Sequence, residues 1–286
     1  MEPLSKRIKI LAPAKVNLFL EIIKKRADGY HQIRSLMQPI RLFDTLWIKT
    51  GSKGLEIHCP NHPELENESN LILRAVHLLE KELDLPLPFS IRLIKKIPIG
   101  GGLGGGSSDA AAVLFGINQW LGSPILPERL RVLASQIGSD VPFFLFKETA
   151  LVLGRGERIE PWPAFPSWWY VLIYPGFSIS TSWAYHQVKF PLTKREKTFN
   201  IQQLKAKEEI PSKELLINDL EAVVQPSFPI LGKIKKVLLE QGCLQALMSG
   251  SGSTVFGIWE TRKRAQEAYH RLKQQGWGEV FITKGL

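Results

Sequence analysis

Residues Lys95–Asp109 read KKIPIGGGLGGGSSD, a run that contains six glycines and ends in two serines and an aspartate. Apolar residues alternate along 89–93 before it, and they recur at helical spacing along 110–121 after it, so a strand, a glycine-rich turn and a helix are predicted. Backbone N–H groups in such a turn, together with those of the helix start, form a cradle for phosphate oxygens. Ser107 or Ser108 is expected to cap the helix, and either hydroxyl could reach a phosphate or a magnesium ion.

Other interpretations fit the glycine-rich segment less well than a phosphate-binding turn does. It is not a Walker A loop, because no Gly-Lys-Ser/Thr closes it. Gly100, Gly102 and Gly105 satisfy G-x-G-x-x-G, but a lone match is weak and no βαβ unit clearly follows. A flexible linker is the remaining alternative, and linkers are seldom set so tightly between a strand pattern and an alanine-rich helix.

Bulk composition describes a globular chain. Its 286 residues, 44% of them hydrophobic, are enough for one large or two ordinary domains. A proline-rich stretch at 160–166 predicts the boundary, so we expect domains at 1–160 and 161–286. No apolar run approaches the roughly 20 residues of a membrane span, and the N-terminus lacks a signal-peptide core. The cysteines, Cys59 and Cys243, lie far apart, which disfavours a disulfide framework or a zinc knuckle. The cytoplasm is the expected location.

The formal charge of +10 raises nucleic acid as a partner. The basic residues are spread along the chain, with modest clusters at 24–26 and 194–197, and no RNA-binding signature appears. A phosphate-rich small substrate explains part of the excess, so no nucleic-acid partner is expected.

Two short segments of the first half carry candidate polar groups. Lys15 and Asn17 are two places apart, which sends both side chains to one face of a strand; the alternative is an edge strand with two solvated groups. Tyr30 and His31 follow an Asp-Gly turn and could point into a pocket; the alternative is a hairpin with an exposed tyrosine. Ile8 and Ile10 begin a strand pattern that is predicted to stop at Pro13, and further strands are predicted at 33–44 and 45–49.

Asp140 is the candidate carboxylate. It stands between the end of a helix predicted over Pro127–Ile137 and a fully apolar segment read as a strand; the alternative is an Asx turn. Thr181 and Tyr185 lie in a predicted loop that suits ligand contact, and the lysine-rich stretch 189–209 is predicted to be a mobile loop.

The sequence motifs in these segments are similar to those of a known family. PIGGGLGGGSSDAA (98–111) resembles the phosphate loop of the GHMP kinases. GSDVPFF (138–144) resembles another signature of the same kinases. PAKVNLFL (13–20), RADGYH (26–31) and NDLE (218–221) resemble the branch that phosphorylates 4-diphosphocytidyl-2-C-methyl-D-erythritol. The implied fold is α+β with two domains, an S5-like N-terminal domain and a ferredoxin-like C-terminal domain.

The resemblance also implies roles for residues. Lys15 and Asp140 would be catalytic, with Asp140 as general base and Lys15 keeping it ionised and polarising the attacking oxygen. Residues that would bind ATP are Lys95, Pro98, Gly100, Gly101, Gly102, Leu103, Gly104, Gly105, Gly106, Ser107 and Ser108. Residues that would contact the cytidine substrate are Asn17, Tyr30, His31, Asp140, Thr181 and Tyr185. Mg²⁺ is expected with ATP, although no metal-binding residue is identifiable.

Two alternative functions stay open at the level of sequence. Another GHMP kinase, for homoserine or mevalonate, is disfavoured by RADGYH and NDLE. A non-catalytic nucleic-acid-binding protein is favoured by the charge, but a Lys–Asp pair would be superfluous in it. The chain is expected to act on small molecules without a membrane or nucleic-acid partner, as a monomer or weak homodimer.

Overall fold

The computed structural model describes residues 7–51, 54–162, 165–189, 201–206 and 211–286. Its strands are β1 (Arg7–Lys25), β2 (His31–Thr50), β3 (Glu56–His58), β4 (Phe89–Ile94), β5 (Ala150–Gly154), β6 (Arg158–Pro161), β7 (Trp169–Tyr174), β8 (Ala246–Met248), β9 (Val255–Trp259) and β10 (Glu279–Lys284). Its α-helices are α1 (Leu71–Leu83), α2 (Gly105–Trp120), α3 (Pro127–Ile137), α4 (Val141–Phe146), α5 (Thr181–His186), α6 (Ile201–Ala206), α7 (Glu221–Val224), α8 (Pro229–Glu240) and α9 (Arg262–Lys273). None of the helices in this part of the chain is both long and apolar enough to cross a membrane.

The chain forms two compact units, each built from separate segments. Unit 1 combines the described part of 1–14 with Leu42–Pro98 and Gly104–Lys147, and unit 2 combines Lys15–Arg41, Ile99–Leu103 and the described part of 148–286. The sequence-based division at residue 160 cuts the chain differently, and it remains a prediction.

Unit 1 contains a sheet covered by helices. The second half of β2 pairs antiparallel with β4, and β4 pairs parallel with β3. Helices α1, α2 and α3 pack against one another, and Asn70 caps α1 by accepting from the N–H of Ile72. Gly116 lets α2 approach β1, because a Cβ there would lie 2.1 Å from Ile10 Cδ1.

Unit 2 contains two sets of antiparallel strands. The first half of β2 pairs with β5, which pairs with β6. The other sheet has the order β10-β7-β9-β8 with α8 and α9 packed on it, so β7, α8, β8, β9, α9 and β10 follow the βαββαβ order of a ferredoxin-like sheet. The α+β class and the ferredoxin-like C-terminal half are therefore confirmed.

Two strand predictions are wrong in their limits. β1 continues through Pro13, where the sequence predicted a stop, because the fixed φ of proline fits a strand and only one donor is lost. The segments 33–44 and 45–49 form the single strand β2 rather than two strands.

Three segments predicted as strand or loop are helical. Residues 141–146 form α4, since a short apolar run has no periodicity that separates a buried strand from a buried helix. Thr181 and Tyr185 lie on α5, which Ser180 caps, rather than in a loop. Within the predicted mobile loop 189–209, residues 201–206 form α6. The rest of that prediction beyond residue 189, and Pro163 in the predicted boundary, lie outside the described residues.

Candidate active site

The glycine-rich turn has an alternating backbone. Gly100, Gly102 and Gly104 have φ angles of 66°, 76° and 72°, a region that other L-residues rarely adopt. Such alternation turns successive N–H groups toward one side, which suits an anion. Gly104 is the N-cap of α2, and no side chain caps this helix. The predicted capping by Ser107 or Ser108 is wrong, because α2 begins two residues earlier and both serines lie in its first turn.

A second glycine-serine turn, residues 249–254, packs against the first in unit 2. The hydroxyl of Ser249 donates to the carbonyl oxygen of Gly102 at 2.9 Å, and the N–H of Thr254 donates to Gly101 O at 3.2 Å. A Cβ at Gly102 would lie 2.1 Å from the carbonyl oxygen of Ser249. Glycine is therefore required at 102 both for its φ angle and for this close approach.

Lys15 and Asn17 meet the first turn from β1. The Lys15 ammonium group donates to Asn17 Oδ1 at 2.6 Å and to Gly102 O at 2.8 Å, while Asn17 Nδ2 donates to Ser35 Oγ at 2.8 Å. Lys15 and Asn17 are only 3% and 1% exposed. The two side chains share a face as predicted, and the alternative of solvated groups on an edge strand is wrong.

Asn218 holds the second turn in place, a role that the sequence did not assign to it. Its Nδ2 donates to the carbonyl oxygens of Met248 and Gly250, both at 2.7 Å, and its Oδ1 accepts from the N–H of Leu220. A Cβ at Gly250 would lie 3.1 Å from Lys15 Nζ. The buried amide therefore fixes the backbone that packs against Lys15. The motif NDLE (218–221) could have indicated this role of Asn218, but the same four residues also fit an ordinary capped helix.

His31 and Tyr185 form an aromatic pair in unit 2. Their ring centroids are 5.2 Å apart, and the two planes are tilted by 31°. Burial, followed by the charges of Lys25 and His186, lowers the pKa of His31 below its usual value. The imidazole therefore remains neutral at pH 7, with one nitrogen able to donate and the other to accept.

Thr181 and Tyr30, also assigned to the substrate, lie in unit 2. Thr181 is exposed, and its hydroxyl lies 3.0 Å from that of Ser251 in the second turn. Tyr30 is 52% exposed, and the guanidinium carbon of Arg155 lies 5.2 Å from its ring centroid. Arg155 belongs to the β5–β6 hairpin and was not predicted as a site residue.

Asp140 belongs to unit 1 and lies directly before α4. It is half-buried, and the first residues of that helix are fully buried. The preceding helix α3 ends at Ile137, with Gly138 as its C-cap, as predicted. The apolar face of α4 thus anchors the segment that carries the carboxylate.

Lys95, predicted to bind ATP, belongs to a buried ion-pair cluster in unit 1. Its ammonium group donates to Asp44 and, at 2.8 Å, to Asp109, and the side chains of all three are at most 4% exposed. The other oxygen of Asp44 accepts from the backbone N–H groups of Lys96 and Ile97 at 2.5 and 2.9 Å. The cluster joins the end of β4 to the first turn of α2. Pro98 lies half-buried at the start of the turn.

The charges of Lys95 and Asp109 act on each other. Burial, the largest influence, raises the pKa of Asp109 to about 7, against the attraction of the Lys95 charge. Burial acts to lower the pKa of Lys95, but the two carboxylates outweigh it, so that pKa is raised. Lys95 therefore stays charged at neutral pH.

The described residues contain no group of three or more His, Cys, Asp or Glu side chains that could hold a metal ion. Two buried polar atoms at the start of α2, the Ser108 hydroxyl and Asp109 Oδ1, have no hydrogen-bond partner in the described part of the chain, and Ser108 is the one that is not in the ion-pair cluster. A Ser108 hydroxyl without a partner at the start of α2 could bind a phosphate oxygen or a magnesium ion that accompanies the nucleotide.

Comparison with protein families identifies both halves of the chain. Residues 70–148 match the GHMP kinases N terminal domain, and residues 204–277 match the GHMP kinases C terminal domain. A solved homoserine kinase from Cytophaga hutchinsonii shares the fold, with a TM-score of 0.69 at 20% identity over 99% of this chain and 96% of that one.

Relatives with higher identity cover nearly the full length. The 4-diphosphocytidyl-2-C-methyl-D-erythritol kinase of Citrifermentans bemidjiense is 41% identical over 95% of this chain and 97% of its own. That of Syntrophus aciditrophicus is 39% identical over 98% of this chain and 99% of its own. A crystal structure of 4-(cytidine 5'-diphospho)-2C-methyl-D-erythritol kinase matches with a TM-score of 0.81 and 35% identity, covering 98% of this chain and 100% of that one. The chain belongs to the GHMP kinases, in the branch of the 4-diphosphocytidyl-2-C-methyl-D-erythritol kinases.

Proposed function

We propose that this kinase transfers the γ-phosphoryl group of ATP to the 2-hydroxyl of 4-diphosphocytidyl-2-C-methyl-D-erythritol, in the non-mevalonate route to isoprenoids. The names of its near full-length relatives support this substrate. The observation that carries the proposal is the pair of bonds from Lys15 to Gly102 and Asn17, which ties a buried cation to the glycine turn.

The glycine turn binds the phosphates of ATP. Phosphoryl transfer depends on positioning and charge stabilisation more than on covalent chemistry. The N–H groups of Gly100–Ser108 supply positive dipoles without a side chain that would keep the phosphates away. Their conformation is maintained by the second glycine-serine turn in unit 2 and by the ion-pair cluster of Lys95 in unit 1.

Lys95 acts in this reaction by positioning. With its ammonium group bound to Asp44 and Asp109, its side chain orders the first turn of α2. The sequence assigned Lys95 to direct contact with ATP, but two of the three N–H groups of its ammonium group donate to Asp44 and Asp109.

Two side chains act on the acceptor hydroxyl. Asp140 accepts the proton of the 2-hydroxyl as that oxygen attacks phosphorus. Lys15 stabilises the developing negative charge on the transferred group and on the attacking oxygen. Asn17, bound to Lys15 and to Ser35, orients the acceptor and holds the ammonium group in position.

A magnesium ion bound with ATP would neutralise phosphate charge, and Ser108 is the residue whose open hydroxyl fits it. This chain's own contribution is the fixed position of Ser108 in the first turn of α2.

His31 and Tyr185 bind the cytidine end of the substrate, with Tyr30 and Thr181 at its margins. Four residues along β2 separate His31 from Ser35, the partner of Asn17, which corresponds to about 13 Å of strand. This distance suits an acceptor whose cytosine ring and reacting hydroxyl stand at opposite ends of a diphosphate.

A panel of acceptor alcohols tests the substrate assignment. The protein is incubated with ATP, magnesium and, separately, the cytidine substrate, homoserine and mevalonate, and ADP release is measured. Turnover with the cytidine compound alone supports the proposal. Turnover with homoserine or mevalonate at a higher kcat/KM would reassign the enzyme within the family, and no turnover with any acceptor would refute the kinase reaction.

We also propose that the enzyme works in the cytoplasm, as a monomer or weak homodimer. ATP is supplied there, and the two cysteines, Cys59 and Cys243, are both free thiols, which suits a reducing compartment.

A further inference from the structure

One face of the unit 1 sheet has a pattern that the kinase reaction does not use. Along β2 and β4, the side chains of Leu46, Ile48, Ile91 and Leu93 are buried on one face of the sheet. The residues between them point to the opposite face. Antiparallel sheets often leave one face to solvent, so an open face alone has no functional meaning.

The composition of this open face is unusual. Arg7 and Lys9 on β1, Lys49 on β2 and Arg92 on β4 are all exposed, and within the described part of the chain none of them forms an ion pair with a carboxylate. Neighbouring strands are about 4.8 Å apart, so these cations act on the same small region. Glu56 on β3 lies beside Ser90 and adds a carboxylate to this face, but the four cations remain in excess. They repel one another, and an anion bound among them would relieve that repulsion.

Trp47 lies at the centre of these cations. It is directly opposite Arg92 in the β2–β4 register, and Lys9 Nζ lies 5.7 Å from its ring centroid. The indole is only half-buried. A depression of about 430 Å³ is lined by Arg7, Trp47, Lys49, Ser90 and Arg92. Pockets for small ligands start at about 300 Å³, so one nucleotide has room there.

We propose that this depression binds a free nucleotide, with the base stacked on Trp47 and the phosphates paired with Arg7, Lys49 and Arg92. The aromatic ring distinguishes this ligand from a simple inorganic anion, which would need only the cations. The single indole distinguishes it from a nucleic-acid strand, whose successive bases need successive aromatic platforms. None of these residues is among those assigned above to the kinase reaction.

Equilibrium dialysis with radiolabelled ADP at 50 mM and 300 mM salt tests the proposal. The kinase reaction accounts for one ADP per chain, so the wild-type protein is expected to bind two. Trp47→Leu is expected to weaken the added binding event about 5- to 150-fold, the factor that loss of one stacked base corresponds to. Arg92→Gln is expected to weaken it as well and to reduce its dependence on salt.

Arg131→Gln is the matched control, because Arg131 is an exposed arginine of unit 1 on α3. It should leave both binding events unchanged. Unaltered kcat and KM in all three variants show that they are folded and that the kinase site is intact. If the protein is not a kinase, the ADP of the kinase site is lost. The ADP in the depression remains bound, and its affinity still depends on Trp47.

Three outcomes would overturn the inference. The first is a single ADP per chain in the wild type, with an affinity that Trp47→Leu does not change. The second is an added ADP whose affinity is the same in Trp47→Leu and Arg92→Gln as in the wild type. The third is Trp47-dependent binding of a hexauridylate together with no added ADP, which would make the face a nucleic-acid surface.

Discussion

The ammonium nitrogen of Lys15 lies 2.8 Å from the carbonyl oxygen of Gly102, and the hydroxyl of Ser249 donates to the same oxygen at 2.9 Å. A lysine on β1 and a serine on a distant turn thus fix one peptide group of the phosphate loop. Because that group is held by both, a shift of the loop also shifts the cation that we assign to charge stabilisation.

Gly102→Ala tests this relationship. The new Cβ would lie 2.1 Å from Ser249 O, so the two turns must separate and the Lys15–Gly102 bond is lost. We expect kcat/KM to fall by at least 10-fold. Gly276→Ala is the control, because Gly276 has a similar φ angle, 73° against 76°, and a Cβ there has open space.

Both alanine variants should lose about 1–2 kcal/mol of stability to the positive φ angle. Only Gly102→Ala should also lose activity. Equal kcat/KM in the two variants, measured with thermal unfolding on the same samples, would mean that the close approach of the turns does not matter for catalysis.

Lys95→Met tests the structural role of the ion-pair cluster. It leaves the carboxyl groups of Asp44 and Asp109 buried without their cation, and removing one partner of a buried pair costs about 3–5 kcal/mol. Lys236→Met, at an exposed pair, should cost about 0–1 kcal/mol. The measurement is urea unfolding of both variants. Normal stability of Lys95→Met combined with weakened ATP binding would instead restore the direct ATP contact expected from the sequence.

Tyr185→Ala tests the cytidine site. Loss of a stacked base corresponds to about 1–3 kcal/mol, so KM for the cytidine substrate should rise about 5- to 150-fold. KM for ATP should hardly change. His31→Ala should in addition relax the preference for cytidine over uridine in the substrate, since the ring supplies hydrogen-bonding groups. If steady-state kinetics show that KM rises equally for both substrates, these aromatic residues contribute to packing and do not bind the cytidine.

The lowered pKa of His31 predicts a pH dependence of stability. The folded state disfavours the charged imidazole, so below the ordinary pKa of about 6.5 the unfolded state binds more protons. Stability should therefore fall as the pH drops from 6.5 toward the folded pKa, and His31→Gln should make this fall shallower. His270→Gln, which removes an exposed imidazole, is the control. Parallel curves of Tm against pH for the wild type and His31→Gln would contradict the assignment.

Local patterns were enough to predict the parts of the site that lie close together in sequence. The strand before the glycine turn, the helix after it and the shared face of Lys15 and Asn17 follow from periodicity and from the conformational freedom of glycine. The motif order along the chain supplied the family. Helix α4 was mistaken for a strand because six apolar residues fit either structure equally well.

Contacts between distant residues could not be predicted in this way. Lys95 was taken for a phosphate ligand because its partner Asp44 lies 51 residues earlier and nothing local links the two. Asn218 was predicted only as part of a family signature and was given no role, whereas its amide reaches Gly250, 32 residues later. Both roles depend on the tertiary structure that brings buried polar groups together.

The most direct test of the proposed mechanism is kcat of Asp140→Asn with the cytidine substrate at saturating ATP. The variant keeps the size of the side chain but cannot accept the hydroxyl proton, so we predict a fall of about 10²- to 10⁴-fold with nucleotide affinity and Tm unchanged. A kcat close to that of the wild type would contradict the assignment of Asp140 as the general base and reduce it to a residue of the turn before α4.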